Sequence, residues 1–417
     1  MEPSHIISYL KDNYPIKAEQ LDSLQFGLTE HLYFFGDHFK NPKEISSINF
    51  RYASRKFLKY LFVLYKIYQN KNIPAGKNTI LSNSYFSINT ELKNLGYNVY
   101  CPSWSMSPDR NVLTSFEILT AGEKITKQFR DLDFNELLSP AFLEEIAIFE
   151  KKMKAFFVEQ KISSIFVPAD VDFFSNLSIK VCKVIGVPSF IFLHGLPQAI
   201  EICKNNRSDY LIVWGEKIKD NYIKDGMNPD KIFVSGHPFY KDFKTTEVKF
   251  GLDNIVVLTK SVSGTDFGDR ANSILYLYSI EKVLKKLGVK AVNLRSHPGE
   301  NPKWYMKFVN KGFYRIDSSG SKSIKKASVV IGPTSSVLLE SVYYGINYLV
   351  YEPIVQGLDF TGRRLFSPFD GSDARVSVAN TEDQLEYMIR NKIKIDPSFF
   401  TEYSKTPFDL SFVKKLI

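Results

Sequence analysis

Three cysteines are all that the 417 residues carry. Cys101, Cys182 and Cys203 have neither a paired nor a metal-ligand spacing. A disulfide scaffold and a cysteine-bound zinc site are therefore excluded, and a reducing compartment suits the chain. Long hydrophobic runs are missing as well. The longest apolar-leaning stretch near the beginning, Phe57–Tyr68, is interrupted by Lys59 and Lys66 and is too short to span a bilayer. No apolar core follows Met1-Glu-Pro-Ser-His5, so no secretory leader is expected and the chain is read as cytoplasmic. Internal repeats, low-complexity tracts and nucleic-acid-binding motifs are absent. The net charge of +9 is local rather than global, which argues against nucleic acid as a partner.

What is present points to a folded protein of more than one core. Hydrophobic residues make up 44% and aromatics 14%, values that exclude a disordered chain. The length exceeds one ordinary core, so two domains are expected. The positive charge gathers early. From Lys40 to Lys77 nine Lys/Arg (40, 43, 51, 55, 56, 59, 66, 71, 77) face one acid, Glu44. Phe50, Tyr52, Phe57, Tyr60, Phe62, Tyr65 and Tyr68 are interleaved with them. Two readings stand: a packed helix with a solvated basic face, and a peripheral contact with the anionic inner face of a membrane.

Residues 1–77 read as mostly helical, punctuated by Pro15, Pro42 and Pro74. A strand at 78–83, a helix at 88–95 and a strand at 97–104 then form a βαβ unit. Residues 105–140 read as an insertion or acceptor loop. An amphipathic helix over 142–160 follows. Strands at 164–169, 189–193, 209–214 and 231–235 alternate with helices over 173–184 and toward Gly226. The polar stretch 239–252 reads as a linker. A second series begins at 254: strands at 254–259, 289–295, 328–331 and 347–351, with helices over 270–287, 302–311 and 335–344. One more helix is expected over 381–391. This alternation predicts an α/β chain with parallel, doubly wound sheets. The boundaries are an N-terminal domain over 1–240, with a helical extension, and a C-terminal domain over 241–417.

The richest stretch is 289–353. It holds Val-Asn-Leu-Arg-Ser-His-Pro-Gly-Glu (292–300) and Val-Val-Ile-Gly-Pro-Thr-Ser-Ser-Val-Leu-Leu-Glu-Ser (329–341). Each is an apolar run that stops at small and polar residues, the pattern of a buried strand's carboxyl end, where ligands bind. Thr334, Ser335 and Ser336 open a helical pattern and offer hydroxyls and N–H groups to an anion; a plain N-cap is the other reading. Arg295 shares a strand face with His297 and would pair with a carboxylate or phosphate. Lys260, Ser261 and Ser263, before Gly264, end the strand at 254–259. They would approach a phosphate or base, or form an ordinary βα loop. In the first half, Asp170 and Asp172 follow the strand at 164–169. Paired carboxylates there would raise one another's pKa and leave one suited to proton abstraction; Asp172 would equally cap the next helix. His194, in His194-Gly-Leu-Pro197, closes another strand on the same side.

Gly236-His-Pro238, Ser296-His-Pro298, Thr334-Ser-Ser336 and Glu340, in this order within roughly residues 78–390, resemble a GT-B type glycosyltransferase. The His-Pro pair followed by Ser-Ser is similar to the bacterial CMP-sugar transferases: sialyltransferases, polysialyltransferases and Kdo transferases. That resemblance implies two Rossmann-like domains facing a central crevice. It implies a CMP-activated acidic sugar as donor and a bacterial surface glycan, free or lipid-linked, as acceptor. By position, His297, with Pro298, would contact the donor phosphate and protonate the leaving CMP. Ser335 and Ser336 would hold that phosphate, and Glu340 would lie near the ribose. The family's acidic motif ending in glycine has no literal match here. Asp170 is the nearest base or nucleophile, ahead of Asp172. No metal and no cofactor are expected.

A second resemblance competes. His194-Gly-x-Pro, then His-Pro, then the serines, is similar to the CDP-glycerol and CDP-ribitol phosphotransferases of teichoic acid synthesis. There His194 would be the base that activates an acceptor hydroxyl. A nucleotide-sugar epimerase on the same fold is a third reading. A non-enzymatic scaffold of polysaccharide export is a fourth.

Overall fold

A computed structural model describes residues 60–69, 78–84, 88–104, 111–169, 172–196, 208–260, 267–297, 302–317, 321–355 and 364–417, together with 12, 24, 57, 58, 300, 358 and 359. Asp170, Ser261, Ser263 and Pro298 lie outside these residues, as does most of the expected N-terminal helical extension.

Two six-stranded parallel sheets form the frame. The first has the order β2-β1-β3-β4-β5-β6, with β1 at Thr79–Ser82, β2 at Asn98–Tyr100, β3 at Ile162–Val167, β4 at Ser189–Phe192, β5 at Tyr210–Val213 and β6 at Ile232–Val234. The second has the order β14-β11-β10-β7-β8-β9. Here β7 is Ile255–Leu258, β8 Val292–Arg295, β9 Tyr314–Ile316, β10 Val329–Gly332, β11 Tyr348–Tyr351 and β14 Val378–Ala379. A short antiparallel pair, β12 (Ile354–Val355) with β13 (Leu358–Asp359), follows β11. In each sheet the chain reverses its direction of winding beside the first strand. Those switch points, β1/β3 and β7/β10, open crevices at the strands' carboxyl ends. The expected α/β class with two doubly wound, Rossmann-like units is the observed one.

Local chemistry sets the helices. Residues 60–69 form α1. Asn89–Asn94 (α2) connects β1 to β2. Phe116–Asp131 (α3) starts at Ser115, whose hydroxyl accepts from the Ile118 N–H at 3.2 Å. Pro140–Glu159 (α4) starts at Ser139 with proline in its first turn, where a missing N–H costs nothing. It buries Phe142, Leu143, Ile146, Phe149, Met153, Phe156 and Phe157 along one stripe. Phe173–Ile185 (α5) runs from Asp172 to a left-handed Gly186. Glu216–Lys224 (α6) follows β5. In the second unit Phe267–Lys286 (α7) lies against Glu382–Arg390 (α9), joined by Lys282–Glu382 and Lys286–Glu386, each at 2.6 Å. A capping box at Thr381 and Gln384 starts α9. Between them, Val337–Tyr343 (α8) follows β10.

The span 116–131 corrects the expectation of a loop over 105–140. Gly122, Thr120 and Thr126 dilute its helical pattern, so the apolar positions Ile118, Leu119, Ile125 and Phe129 carry the signal only once packed.

Neighbouring residues of the second sheet belong to different cores. Ile255, Val257, Val329, Ile331, Leu349 and Tyr351 pack with α7 and α9. Val256, Leu258, Val330, Tyr348 and Val350 point the other way. That second face, with Leu338, Leu339 and Val342, is continuous with the core of the first sheet. One apolar body therefore joins the two sheets, which holds the facing strand ends in register.

The end of the described chain was not foreseen. After α9, Phe400–Tyr403 (α10) and the residues beyond it return to the first sheet. The Lys405 N–H donates to the Trp214 carbonyl and the Asp409 N–H to that of Ser235, both at 2.8 Å. Phe412 stacks on Phe233 with centroids 5.0 Å apart. Backbone lies so close to Gly215 and Gly236 that a Cβ at either would sit 2.2 Å from a carbonyl oxygen. Gly236 also has φ +83°, which favours glycine by itself.

Candidate active site

Four strand ends converge. At the end of β4, His194 is exposed. Its Nδ1 lies 2.9 Å from the Pro168 carbonyl at the end of β3. A carbonyl only accepts, so Nδ1 carries the proton and Nε2 is the basic nitrogen. One strand's backbone thus orients the histidine of the next.

Across the crevice, His297 follows β8. Its turn is tightly held. The His297 N–H donates to the Thr259 hydroxyl oxygen at 3.0 Å and to Glu300 Oε2 at 3.2 Å. Glu300 N–H donates back to the His297 carbonyl at 2.9 Å. The Thr259 hydroxyl donates to Glu300 Oε2, and the Tyr305 hydroxyl to Oε1 at 2.8 Å. Burial and the Glu300 charge push the Tyr305 phenol far up, so it stays a donor. The His297 imidazole sits below the ordinary histidine range, because protein surrounds part of it and because the charge of His194 reaches it.

The residues after β10 divide their work. Thr334 is buried, and both its N–H and its hydroxyl donate to Glu352 Oε2, at 2.7 and 2.6 Å. Ser335 Oγ accepts from the Val337 N–H at 3.2 Å. Ser336 stands at the helix start without a side-chain capping bond. Ser335 and Ser336 therefore sit at the mouth, and Thr334 faces inward. Gly332 is required beneath them: a Cβ there would lie 2.3 Å from the Tyr348 hydroxyl, which donates to the Pro333 carbonyl at 2.5 Å.

Lys260 corrects one expectation. It is buried, and its ammonium donates to Glu352 at 2.8 Å and to Asp359. Its charge is spent on two buried carboxylates, so it organises the crevice floor instead of reaching a donor. Asp172 corrects another. Its carboxylate accepts from the Ser175 N–H at 2.8 Å as the cap of α5. Burial raises its pKa, against the pull of those capping bonds. The carboxylate is engaged as the cap of α5, the second of its two readings.

Arg295 and Glu340 are brought together, with Nη2 and Oε2 3.8 Å apart. Each keeps a buried atom with no hydrogen-bond partner, Nη1 and Oε1. Burial raises the Glu340 carboxyl, and Arg295 opposes it. Tyr240 lies within reach of both charges. Orphaned buried donors and acceptors beside a crevice mark a place prepared for a polar group.

Sequence reasoning missed Thr259, Glu300, Tyr305, Glu352 and Asp359. Two of them were readable. Glu300 and Glu352 are carboxylates just past strand ends, in turns where an acid has unpaired N–H groups to accept from.

No family model matches the chain, and no curated protein matches it. Among solved structures it is similar to the UDP-GlcNAc 2-epimerase of Methanocaldococcus jannaschii in complex with UDP-GlcNAc and UDP, at 13% identity and TM-score 0.48, covering 81% of this chain and 98% of that one. It is similar to the UDP-GlcNAc 2-epimerase of Neisseria meningitidis bound to UDP-GlcNAc, at 12% and 0.46, covering 81% and 97%. It is also similar to the wall teichoic acid polymerase TagF, at 11% and 0.42, covering 90% and 96%. These are likenesses of overall arrangement, and no residue role is taken from them.

Proposed function

We propose that this protein is a transferase that moves a group from a cytidine-nucleotide donor onto an acceptor hydroxyl. The acceptor half extends to residue 240 and the donor half begins at 241. One observation carries the reading: the Pro168 carbonyl holds His194 Nδ1 at 2.9 Å, which leaves Nε2 of an exposed histidine at a strand end as the basic nitrogen. Asp172 is engaged as a cap, so His194 is the base that the described residues offer. This favours phosphotransfer from a CDP-polyol, such as CDP-glycerol or CDP-ribitol, over the transfer of an acidic sugar from CMP.

In that chemistry His194 Nε2 takes the proton of the acceptor hydroxyl. The acceptor oxygen bonds to the donor's outer phosphorus. The bond from that phosphorus to the bridging oxygen breaks, and its electron pair leaves on CMP. His297 hydrogen-bonds the departing phosphate, with Ser335 and Ser336 beside it. An anionic donor raises the His297 pKa again, so binding readies it to donate. Arg295 and Glu340 offer their unpaired atoms to the donor's polar edge. A glycan or lipid-linked glycan fits as acceptor.

The test is a donor screen with CDP-glycerol, CDP-ribitol, CMP-sialic acid, CMP-Kdo and UDP-GlcNAc, scored by released nucleotide and by acceptor product. Turnover of a CDP-polyol that falls by about 10²–10⁴-fold in His194→Ala supports the proposal. Turnover of CMP-sugars alone would move the chemistry to Asp170. Conversion of UDP-GlcNAc to its epimer, with no acceptor product, would make the protein an epimerase.

A further inference from the structure

Helix α1 has two apolar sides. Val63 is 2% exposed and packs with Val112 and Leu119, flanked by Tyr60, Phe62, Leu64 and Ile67. That side attaches the helix to the first domain. The opposite side should be polar in a helix of this kind, yet it is not. Phe57, Leu58, Leu61, Tyr65 and Tyr68 are 61%, 63%, 44%, 54% and 77% exposed. At about 100° per residue these five fall within an arc of about 100°, one continuous face. Gln69 borders it, and its side chain donates to the Tyr65 hydroxyl at 2.5 Å.

Charge decides what would cover this face. Between Glu44 and Glu91 the sequence has no acid, while Arg51, Arg55, Lys56, Lys59, Lys66, Lys71 and Lys77 all fall there. A second copy of the chain would bring the same cations against these. Lys66, about 80° beyond the edge of this face, has its ammonium 5.8 Å from the Phe62 ring and donates to Gln69 Oε1 at 3.0 Å. Long cationic stems of this kind lie along apolar surface at a membrane interface. Tyrosines with one apolar and one hydrogen-bonding end suit the same depth. No described helix is long and apolar enough to cross a membrane.

We propose that the outer face of α1 docks onto an anionic lipid bilayer. The five side chains enter the headgroup boundary and the flanking Lys and Arg side chains engage lipid phosphates. The helix lies in the plane of the membrane, with its Val63 side holding the protein above it. This inference stands apart from the donor chemistry proposed above.

The experiment is co-sedimentation of the full chain with vesicles of phosphatidylcholine, alone or mixed with phosphatidylglycerol. Binding to the mixed vesicles that weakens as salt rises is the expected result. Leu61→Ser/Tyr68→Ser should weaken it by at least about tenfold, about 1.4 kcal/mol, with an unchanged unfolding midpoint because both side chains are exposed. A Tyr65→Trp reporter should shift its emission to the blue on the mixed vesicles. Absence of binding, or equal binding by the Ser/Ser variant, overturns the proposal. So does light scattering that shows a dimer which this variant dissolves, since the face would then be a self-association surface.

Discussion

The chain contains two His-Pro pairs, and the fold has put them to opposite uses. His237 is 3% exposed, edge-on to Trp214 with centroids 4.5 Å apart, and its Nδ1 accepts from the Phe239 N–H at 3.1 Å. Burial pushes its pKa down to about 3, so it is a neutral strut. His297 is exposed, its backbone N–H is held in a turn by Thr259 and Glu300, and partial burial lowers its pKa from the ordinary value without making it a strut. The dipeptide is the same. What differs is whether chain folds over it: the C-terminal return covers the His237 turn, and nothing described covers His297. The two are also linked to the site differently. Trp214, which packs on His237, donates from its indole to the Leu193 carbonyl at 2.9 Å, one residue before His194. The buried turn braces one histidine of the site, and the exposed turn supplies the other.

The sharpest way to break this contrast is to remove each imidazole. His297→Asn should cost about 10²–10³-fold in transfer, measured with the donor identified by the screen, with an unchanged urea midpoint. A loss of stability instead would make it a strut too. His237→Ala should do the reverse: about 2–3 kcal/mol lost in urea unfolding, from a cavity beside Trp214 and an unpaired Phe239 N–H.

A gentler probe uses pH. The folded His237 pKa lies below the unfolded value near 6.5, so the unfolded chain takes up the proton first. The neutral histidine costs nothing above pH about 6.5. Below that, stability falls by up to about 1.4 kcal/mol per pH unit until pH nears about 3. His237→Asn, which keeps an acceptor for the Phe239 N–H, should flatten the urea midpoint between pH about 6.5 and about 5. An unchanged slope would mean that the histidine is protonated where it sits. The smallest effect is expected from Tyr305→Phe. It leaves Glu300 Oε1 without its donor and loosens the His297 turn, for about 1 kcal/mol in kcat with little change in KM.

The parallel sheets were legible because buried strands such as Val-Val-Ile-Gly (329–332) are apolar throughout and end in small polar turns. The positions of His194 and His297 were legible for the same reason: each follows such a strand. Residues whose roles depend on a distant partner were not. Lys260 read as a phosphate ligand because the sequence cannot show Glu352 and Asp359 closing on it, 92 and 99 residues away. Asp172 offered two readings, half of a carboxylate pair or the cap of the next helix, and the backbone of α5 takes it as the cap. The return of residues after 397 was invisible because its aromatics, Phe399, Phe400, Tyr403, Phe408 and Phe412, keep helical spacing for only about a turn at a time, too short a run to read as an element.

That return sets an order of events during synthesis. Residues 400–413 leave the ribosome after every strand of both sheets, yet Trp214, Gly215 and Gly236 of the first domain wait for them as packing partners. The first sheet therefore emerges early and gains its last packing partners after the second sheet is complete. Until then Phe192 and Phe233 lack the rings of Phe408 and Phe412 that cover them, an apolar seam open to aggregation. A chain cut just before residue 400 would carry every strand of both sheets and still lack the backbone partners of Trp214 and Ser235.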